Sequence, residues 1–493
     1  MRKILISLFA ALFTMTLSVG VVSCGKDEPT IEKPDTPDNP NTPDNPNDPN
    51  DPNNPNPGDP NSETVMTVAQ QKQYLESVAL EFMDMVPAGE FRRLGELGKY
   101  ITDVYINYYN WDRVGEWGKD VFNAAREPLG TTSFETRSEY WGNYTYTYNY
   151  IYSNFKALLM ASNFKGHFIA KNGYWSYEQA NDLQFLFYDQ QGQTLVLKVE
   201  TSGMTAKVHA FDVEDWTGGY NDDFGYTYTN NSYYDRTACT IGVPEKVIVT
   251  LLQGQTQLVK TTVTIDLKSV KDEEFDLSND AVNATVKTEL NNGYVLNFSQ
   301  LGYKGNSTAT VQFTMTKNGK ALITLAASGD LSNIPSVNVS AFSSEMFDAD
   351  DYNFDDINGK NAFVKLDVLG KVQMQGRLTD VRKYVDYLEK ADENERSESQ
   401  FKSYINQANE LTDINLFYNG KSTKQATVKL EPFREDGWSS SYWTAEPVLF
   451  FYDGSSYSTF DAFFNDVDFS RTIDAFKSLA NAYANIIGEQ IDW

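Results

Sequence analysis

The sequence predicts an α+β fold in which a large antiparallel meander sheet follows an N-terminal helical layer and precedes C-terminal helices. Three observations predict it. Apolar residues recur at the helical period from Val68 to Ala125. From about residue 163 the period changes to two and is broken by Asn-Gly pairs, and helical spacing returns after residue 378. The folded body therefore divides into a helical segment at 65–162, a β region at 163–378 and an α/β segment at 379–493, which together form one integrated fold or several.

The first helix is signalled by Thr67 and Gln70, the spacing at which a threonine and a glutamine cap each other's backbone N–H groups. Val68, Leu75, Val78, Ala79, Phe82 and Val86 then share one face as far as Pro87. Phe91, Leu94, Leu97, Ile101, Val104, Tyr105 and Tyr108 repeat the pattern, and Val114, Trp117, Val121, Phe122 and Ala125 extend it to Pro128. Such apolar stripes read as core faces.

In the β region, Asn172-Gly173, Asn292-Gly293 and Asn318-Gly319 each separate strand-like runs. Asn-Gly suits a two-residue hairpin turn because both central residues take positive φ. Gln190-Gln191-Gly192 and Gln253-Gly254 join further runs, so successive hairpins make a meander. Val247, Thr250, Leu258, Asp266 and Leu267 match Val311, Thr314, Leu322, Asp330 and Leu331 at a constant offset, which suggests a duplicated hairpin unit. Cys239 has no cysteine available as a disulfide partner in the mature chain and reads as a buried strand residue. Beyond the sheet, Thr379 and Ser399 are placed to cap two helices, Asn419-Gly420 marks another hairpin, and Phe469 to Ile486 closes the chain with an amphipathic helix.

The N-terminus has the layout of a secretory signal over residues 1–23. Arg2 and Lys3 precede an apolar run from Ile4 to Val22. Val21-Val22-Ser23-Cys24 resembles the bacterial lipobox, and the Lys-Asp-Glu run after Cys24 resembles the acidic export signal of surface-exposed Bacteroidota lipoproteins. The resemblance covers the leader and the first mature residues. It implies that Cys24 is acylated and becomes the mature N-terminus, anchored in the outer membrane and facing the exterior. Several acyl chains on one cysteine give stable anchoring without a transmembrane helix.

Residues 24–64 read as a disordered stalk. Eleven of the 17 prolines fall between Pro29 and Pro60, interleaved with Asp and Asn, and such a stretch cannot bury enough apolar surface to offset its ordering entropy. At roughly 3 Å per residue it reaches on the order of 100 Å from the membrane. The formal charge is −27, and loss of the two leader cations takes it to −29. With no basic cluster to follow a phosphate backbone, nucleic acid is not an expected partner.

No nucleophile elbow, phosphate-binding loop or zinc-protease motif occurs, and the chain has two histidines, His167 and His209, each within a strand-like run. Polar-aromatic stretches are the candidate ligand sites. Trp141, Tyr144 and Tyr146 lie in one, and Trp216, Tyr220, Tyr226 and Tyr228 in the other, both read as loops rich in turn-forming residues. Exposed rings stack on sugar faces at small entropic cost while Asn and Asp take hydroxyls. Asp348, Asp350, Asp351, Asn353 and Asp355 place oxygen ligands at alternate positions, as calcium loops do, although the glycine and glutamate of an EF-hand are replaced. The expected function is a binding or interaction module for a glycan or other extracellular polymer or protein. The alternatives are a carrier of an apolar ligand, with the layout of a lipid-carrier half-barrel, and a hydrolase using two carboxylates.

Overall fold

The computed structural model describes residues 65–111, 119, 121–122, 131–141, 144–153, 165–217, 233–270, 275–336, 338–339, 358–436, 441–454, 458–464, 467–487 and 491. The chain enters through α1 (Val68–Met85) and α2 (Ala88–Tyr100), which runs on into a π-helical turn at Ile101–Ile106. The capping box forms as the sequence predicts: Thr67 Oγ1 accepts from the Gln70 N–H, and Gln70 Oε1 accepts from the Thr67 N–H.

The strands follow in order. β1 (Thr131–Trp141) and β2 (Tyr144–Ser153) pair with each other, and β3 (Gly166–Lys171), β4 (Tyr174–Glu178), β5 (Leu183–Tyr188) and β6 (Thr194–Ser202) come next. β7 (Ala206–Thr217) pairs with β8 (Tyr233–Val243), and β9 (Lys246–Gln253) and β10 (Thr256–Asp266) form a hairpin. The short β11 (Phe275–Asp276) precedes β12 (Ala281–Leu290), β13 (Tyr294–Lys304), β14 (Thr308–Lys317) and β15 (Lys320–Ser332). After β16 (Asn338–Val339) come β17 (Asn358–Val368) and β18 (Val372–Asp380), then the helices α3 (Val381–Glu393) and α4 (Glu398–Glu410). The chain ends with β19 (Thr412–Tyr418), β20 (Ala426–Asp436), β21 (Ser441–Phe451), β22 (Ser458–Thr459), α5 (Phe460–Phe463) and α6 (Ser470–Ile487).

Sixteen of these strands form one sheet in the order β22-β21-β20-β19-β18-β17-β15-β14-β13-β12-β10-β9-β6-β5-β3-β4. The fold is thus α+β and dominated by an antiparallel meander. A single row of paired residues shows why it is stable: Leu183, Val199, Val249, Thr261, Thr288, Leu296, Met315, Ile323, Val368, Val372 and Tyr418 face one another from β5 to β19. The row is apolar except at Thr261 and Thr288, whose hydroxyls bond each other at 3.0 Å, so neither is orphaned. The adjacent row on the opposite face, Gln184, Lys198, Thr250, Lys260 and Glu289, is polar. One face is therefore core and the other meets water, as alternation in an antiparallel sheet requires.

The helices cover the apolar face. Ile101 and Tyr105 pack with Phe185, Leu197 and Val249 at one end, while Val78 of α1 packs with Tyr294, Val372 and Tyr418 further along. α3 and α4 close the far ends of β20 and β21 through Ala391, Phe401 and Ile405. Gln71 of α1, fully buried, is satisfied: its Nε2 donates to the Met66 and Gln425 carbonyls and its Oε1 accepts from the Tyr418 hydroxyl. At the far edge, β22 pairs only with Val448 and Leu449 of β21, and the Trp443 N–H of β21 donates to the Glu395 carbonyl, which blunts the part of the strand left open.

The structure departs from the sequence reading at several places. Residues 131–141 and 144–153, assigned to the helical segment and in part to a loop, are paired strands, because Tyr144-Thr145-Tyr146-Thr147-Tyr148 alternates β-branched and aromatic residues. β3 pairs with β5 in parallel, so the meander is interrupted at that edge. Asn172-Gly173, Asn318-Gly319 and Asn419-Gly420 take positive φ at both residues, but Asn291, Asn292 and Gly293 form a three-residue loop in which Gly293 alone does (φ 87°). α3 is capped by Asp380, whose carboxylate accepts from the Lys383 N–H, because strand pairing continues through Thr379 and Asp380; α4 begins after Ser397 rather than Ser399. Ser399 and Lys402, a Ser-x-x-Lys match, sit on α4 with Lys402 bonded to Glu398. The repeated unit corresponds to the β9–β10 and β14–β15 hairpins, in which Leu258 and Leu322 are both buried.

Burial raises the hydroxyl pKa of Tyr74 and of Tyr483 to about 12, and those of Tyr105 and Tyr418 are also raised by burial. A raised folded-state value favours the neutral phenol, so this stabilisation is complete below the unfolded value of about 10 and disappears as pH climbs through about 12. Alkaline titration should show Tyr74, Tyr105, Tyr418 and Tyr483 ionising late, together with loss of far-ultraviolet circular dichroism. Simultaneous ionisation near the ordinary value would contradict this packing.

Candidate functional site

A concave polar surface lies where α2 meets the β5–β6 turn and the end of β9. Arg93, Glu96 and Leu97 form one wall, and Asp189, Gln190, Gln191, Gln193 and Gln253 the other, around a volume of about 410 Å³. Ligand pockets span roughly 300–1,000 Å³, so it is large enough for a sugar unit.

Its turn is built around one carboxylate. Asp189 is 7 % exposed, and its Oδ1 accepts from the backbone N–H groups of Gln191 (2.9 Å) and Gln193 (2.8 Å). Its Oδ2 accepts from Gln253 Nε2. Backbone bonds from Asp189 N to Gln193 O (2.9 Å) and from Gly192 N to Asp189 O (3.0 Å) close the loop, with Gly192 at φ 77°. The glutamine side chains are consequently displayed from a fixed backbone. Gln190, Gln191 and Gln193 have uncommitted amides among the described residues, and Gln253 retains a free Oε1.

The two walls are held together by Tyr105. Its hydroxyl donates to the Tyr188 carbonyl at 2.7 Å and accepts from the Tyr188 N–H at 3.0 Å, directly before Asp189. The π-helical turn, with Asn107 N bonded to Thr102 O and Tyr109 N to Val104 O, frees the Tyr105 carbonyl to accept both the Trp111 (3.0 Å) and Trp175 (3.4 Å) indole N–H groups. Trp175, Phe122, Phe185 and Phe187 pack round this point with ring centroids 5.1–6.3 Å apart. Helix and turn are thereby fixed to one aromatic core, so the cleft is preformed.

A second, apolar cavity of about 60 Å³ lies between helix and sheet, lined by Ile101, Phe122, Phe187, Leu197, Val249, Leu251, Val259 and Thr261. It is smaller than the roughly 150 Å³ that admits benzene, so it is a packing gap with no room for an acyl chain.

The sequence-predicted sites fall as follows. Trp141, Tyr144 and Tyr146 are strand residues: Trp141 pairs with Tyr144, and Tyr146 with Glu139, between β1 and β2. Trp216 is also in a strand, opposite Tyr234 in the β7–β8 hairpin, and Cys239 is in β8 opposite Phe211. The expectation that both tryptophans sit in loops is therefore corrected, the hairpin register having priority over the turn-forming neighbours. Cys24, Tyr220, Tyr226, Tyr228, Asp348, Asp350, Asp351, Asn353 and Asp355 lie outside the described residues. His167 pairs with Asp182 at 2.8 Å, and hydrogen bonds from Gln184 and His167 hold the Asp182 carboxyl below the usual carboxylate range. The cleft itself was not identified from the sequence. Asp189-Gln190-Gln191-Gly192-Gln193 was legible as a turn, but nothing local linked it to Arg93 and Glu96. No protein-family model matches the chain, and neither a curated protein nor a solved structure shows significant similarity to it.

Proposed function

We propose that the protein is a lipid-anchored, stalked module that binds an extracellular glycan at the cell surface through the cleft between α2 and the β5–β6 turn. The observation that carries this reading is the set of uncommitted glutamine amides held on a rigid, Asp189-centred turn. Amides offer both donors and acceptors, which suits vicinal hydroxyls, and a fixed backbone reduces the entropy lost on binding. Asp189 acts as a positioning residue: both its oxygens are occupied, which argues against its service as half of a hydrolytic carboxylate pair in this cleft. The aromatic composition of the stretch holding Trp141, Tyr144 and Tyr146 supports a second sugar contact there.

Titration calorimetry of the full chain against a polysaccharide panel tests the reading. Gln191→Ala and Gln193→Ala should each weaken binding by about 0.5–1.5 kcal/mol, the net value of a hydrogen bond. Parental affinity in both variants would remove the cleft from the reading. The anchor is tested separately, since the motif at Cys24 supports acylation there. Cys24→Ala should abolish fatty-acid labelling and release or mislocalise the protein, and equal labelling of the variant would refute the anchor.

A further inference from the structure

The charges of the cleft point to a narrower ligand class, an inference that rests on the glycan reading above: we infer that the site takes neutral sugar units and that Glu96 excludes carboxylated ones. Arg93 and Glu96 are exposed, one turn apart on α2, and neither has an ion-pair partner among the described residues. Their surroundings differ in this respect: Lys99 pairs with Asp103, and Glu90 with Lys317. Asp189 adds a second carboxylate whose partners are all uncharged N–H groups. The cleft thus sets two carboxylates against one guanidinium, in a chain of formal charge −27.

A carboxylated sugar entering this site gains Arg93 but meets Glu96 beside it and Asp189 beneath. A neutral sugar meets no such opposition. Arg93 donates to its hydroxyl oxygens, Glu96 accepts from its hydroxyl protons, and Gln190, Gln191, Gln193 and Gln253 take the remainder. Glu96 therefore contributes attraction toward one class and repulsion toward the other, the combination that produces specificity.

The test uses the full chain and hexamers of glucan, mannan and galactan, each compared with the same chain oxidised at C6 to the uronate. The parent should bind at least one neutral hexamer, and its oxidised partner about tenfold more weakly, between the roughly sixfold of a charge pair about 4 Å apart in bulk water and the roughly thousandfold of one near a protein surface, because Arg93 offsets part of the repulsion. The neutral affinity should change little with salt, while the oxidised chain should bind better as salt screens the repulsion. Glu96→Gln should bring the pair to within about threefold, and Arg93→Gln should weaken the neutral hexamer about tenfold. Both positions are exposed, so folding is expected to survive, and circular dichroism verifies it. Stronger binding of the uronate by the parent, or a neutral-to-uronate ratio unchanged in Glu96→Gln, would overturn the inference and leave the glycan reading standing. Binding of no hexamer in the panel would overturn both.

Discussion

Trp175→Ala should cost about 3–5 kcal/mol of folding stability, the range for emptying a large buried aromatic site. Trp175 is 0 % exposed, within 4.7 Å of Trp111 and 5.8 Å of Tyr105 between ring centroids. Removing it opens a cavity where the π-helical turn, β4 and β5 meet. Trp175→Phe isolates the polar part: it retains most of the volume but leaves the Tyr105 carbonyl with Trp111 as its remaining indole donor, at a cost of about 1 kcal/mol for the lost hydrogen bond. Chemical denaturation with circular dichroism measures both. A loss below 1 kcal/mol for Trp175→Ala would mean that this aromatic cluster does not anchor the helical layer. Because Tyr105 ties the same cluster to Tyr188, the destabilised variant should also bind ligand more weakly at the cleft.

Asp189→Ala is expected to have the second large effect, on the site more than on the fold. It removes the acceptor of two backbone N–H groups and one amide N–H, with an expected stability loss of about 2–3 kcal/mol, moderated because a turn near the surface lets water replace part of the bonding. Asp189→Asn is the informative companion. Its Oδ1 still accepts from Gln191 and Gln193, but its amide nitrogen faces Gln253 Nε2, so Gln253 must turn its amide over and offer a donor to the cleft in place of an acceptor. The expected outcome is a nearly normal melting temperature with altered glycan preference. Unchanged binding in both variants would show that the ordered turn is not what recognises the ligand.

Features that depend on neighbouring residues follow from the order of the residues alone. Thr67 and Gln70 cap α1 because the bonds they make are three residues apart, and Asn172-Gly173, Asn318-Gly319 and Asn419-Gly420 form their turns because those residues tolerate positive φ. Period-two alternation fixed which face of β5, β6, β9 and β10 is buried, since a one-residue slip would place that entire apolar set in water. Other features depend on contacts between distant parts of the chain. Leu369 adopts φ 57° in the turn between β17 and β18, a conformation costing a non-glycine residue about 1–2 kcal/mol, while its side chain is buried in the cluster beneath α1. No local propensity would place leucine there. The parallel pairing of β3 with β5 and the bridging of Tyr105 to Tyr188, 83 positions away, are likewise choices among distant partners. The cleft has the same origin: Arg93 and Glu96 read as a solvated helix face and Gln190 to Gln193 as a turn until packing of α2 on the sheet brings them round one volume. Spacing along a chain carries the local bonds, but the burial free energy that selects one long-range arrangement belongs to surfaces that exist only once the chain has folded.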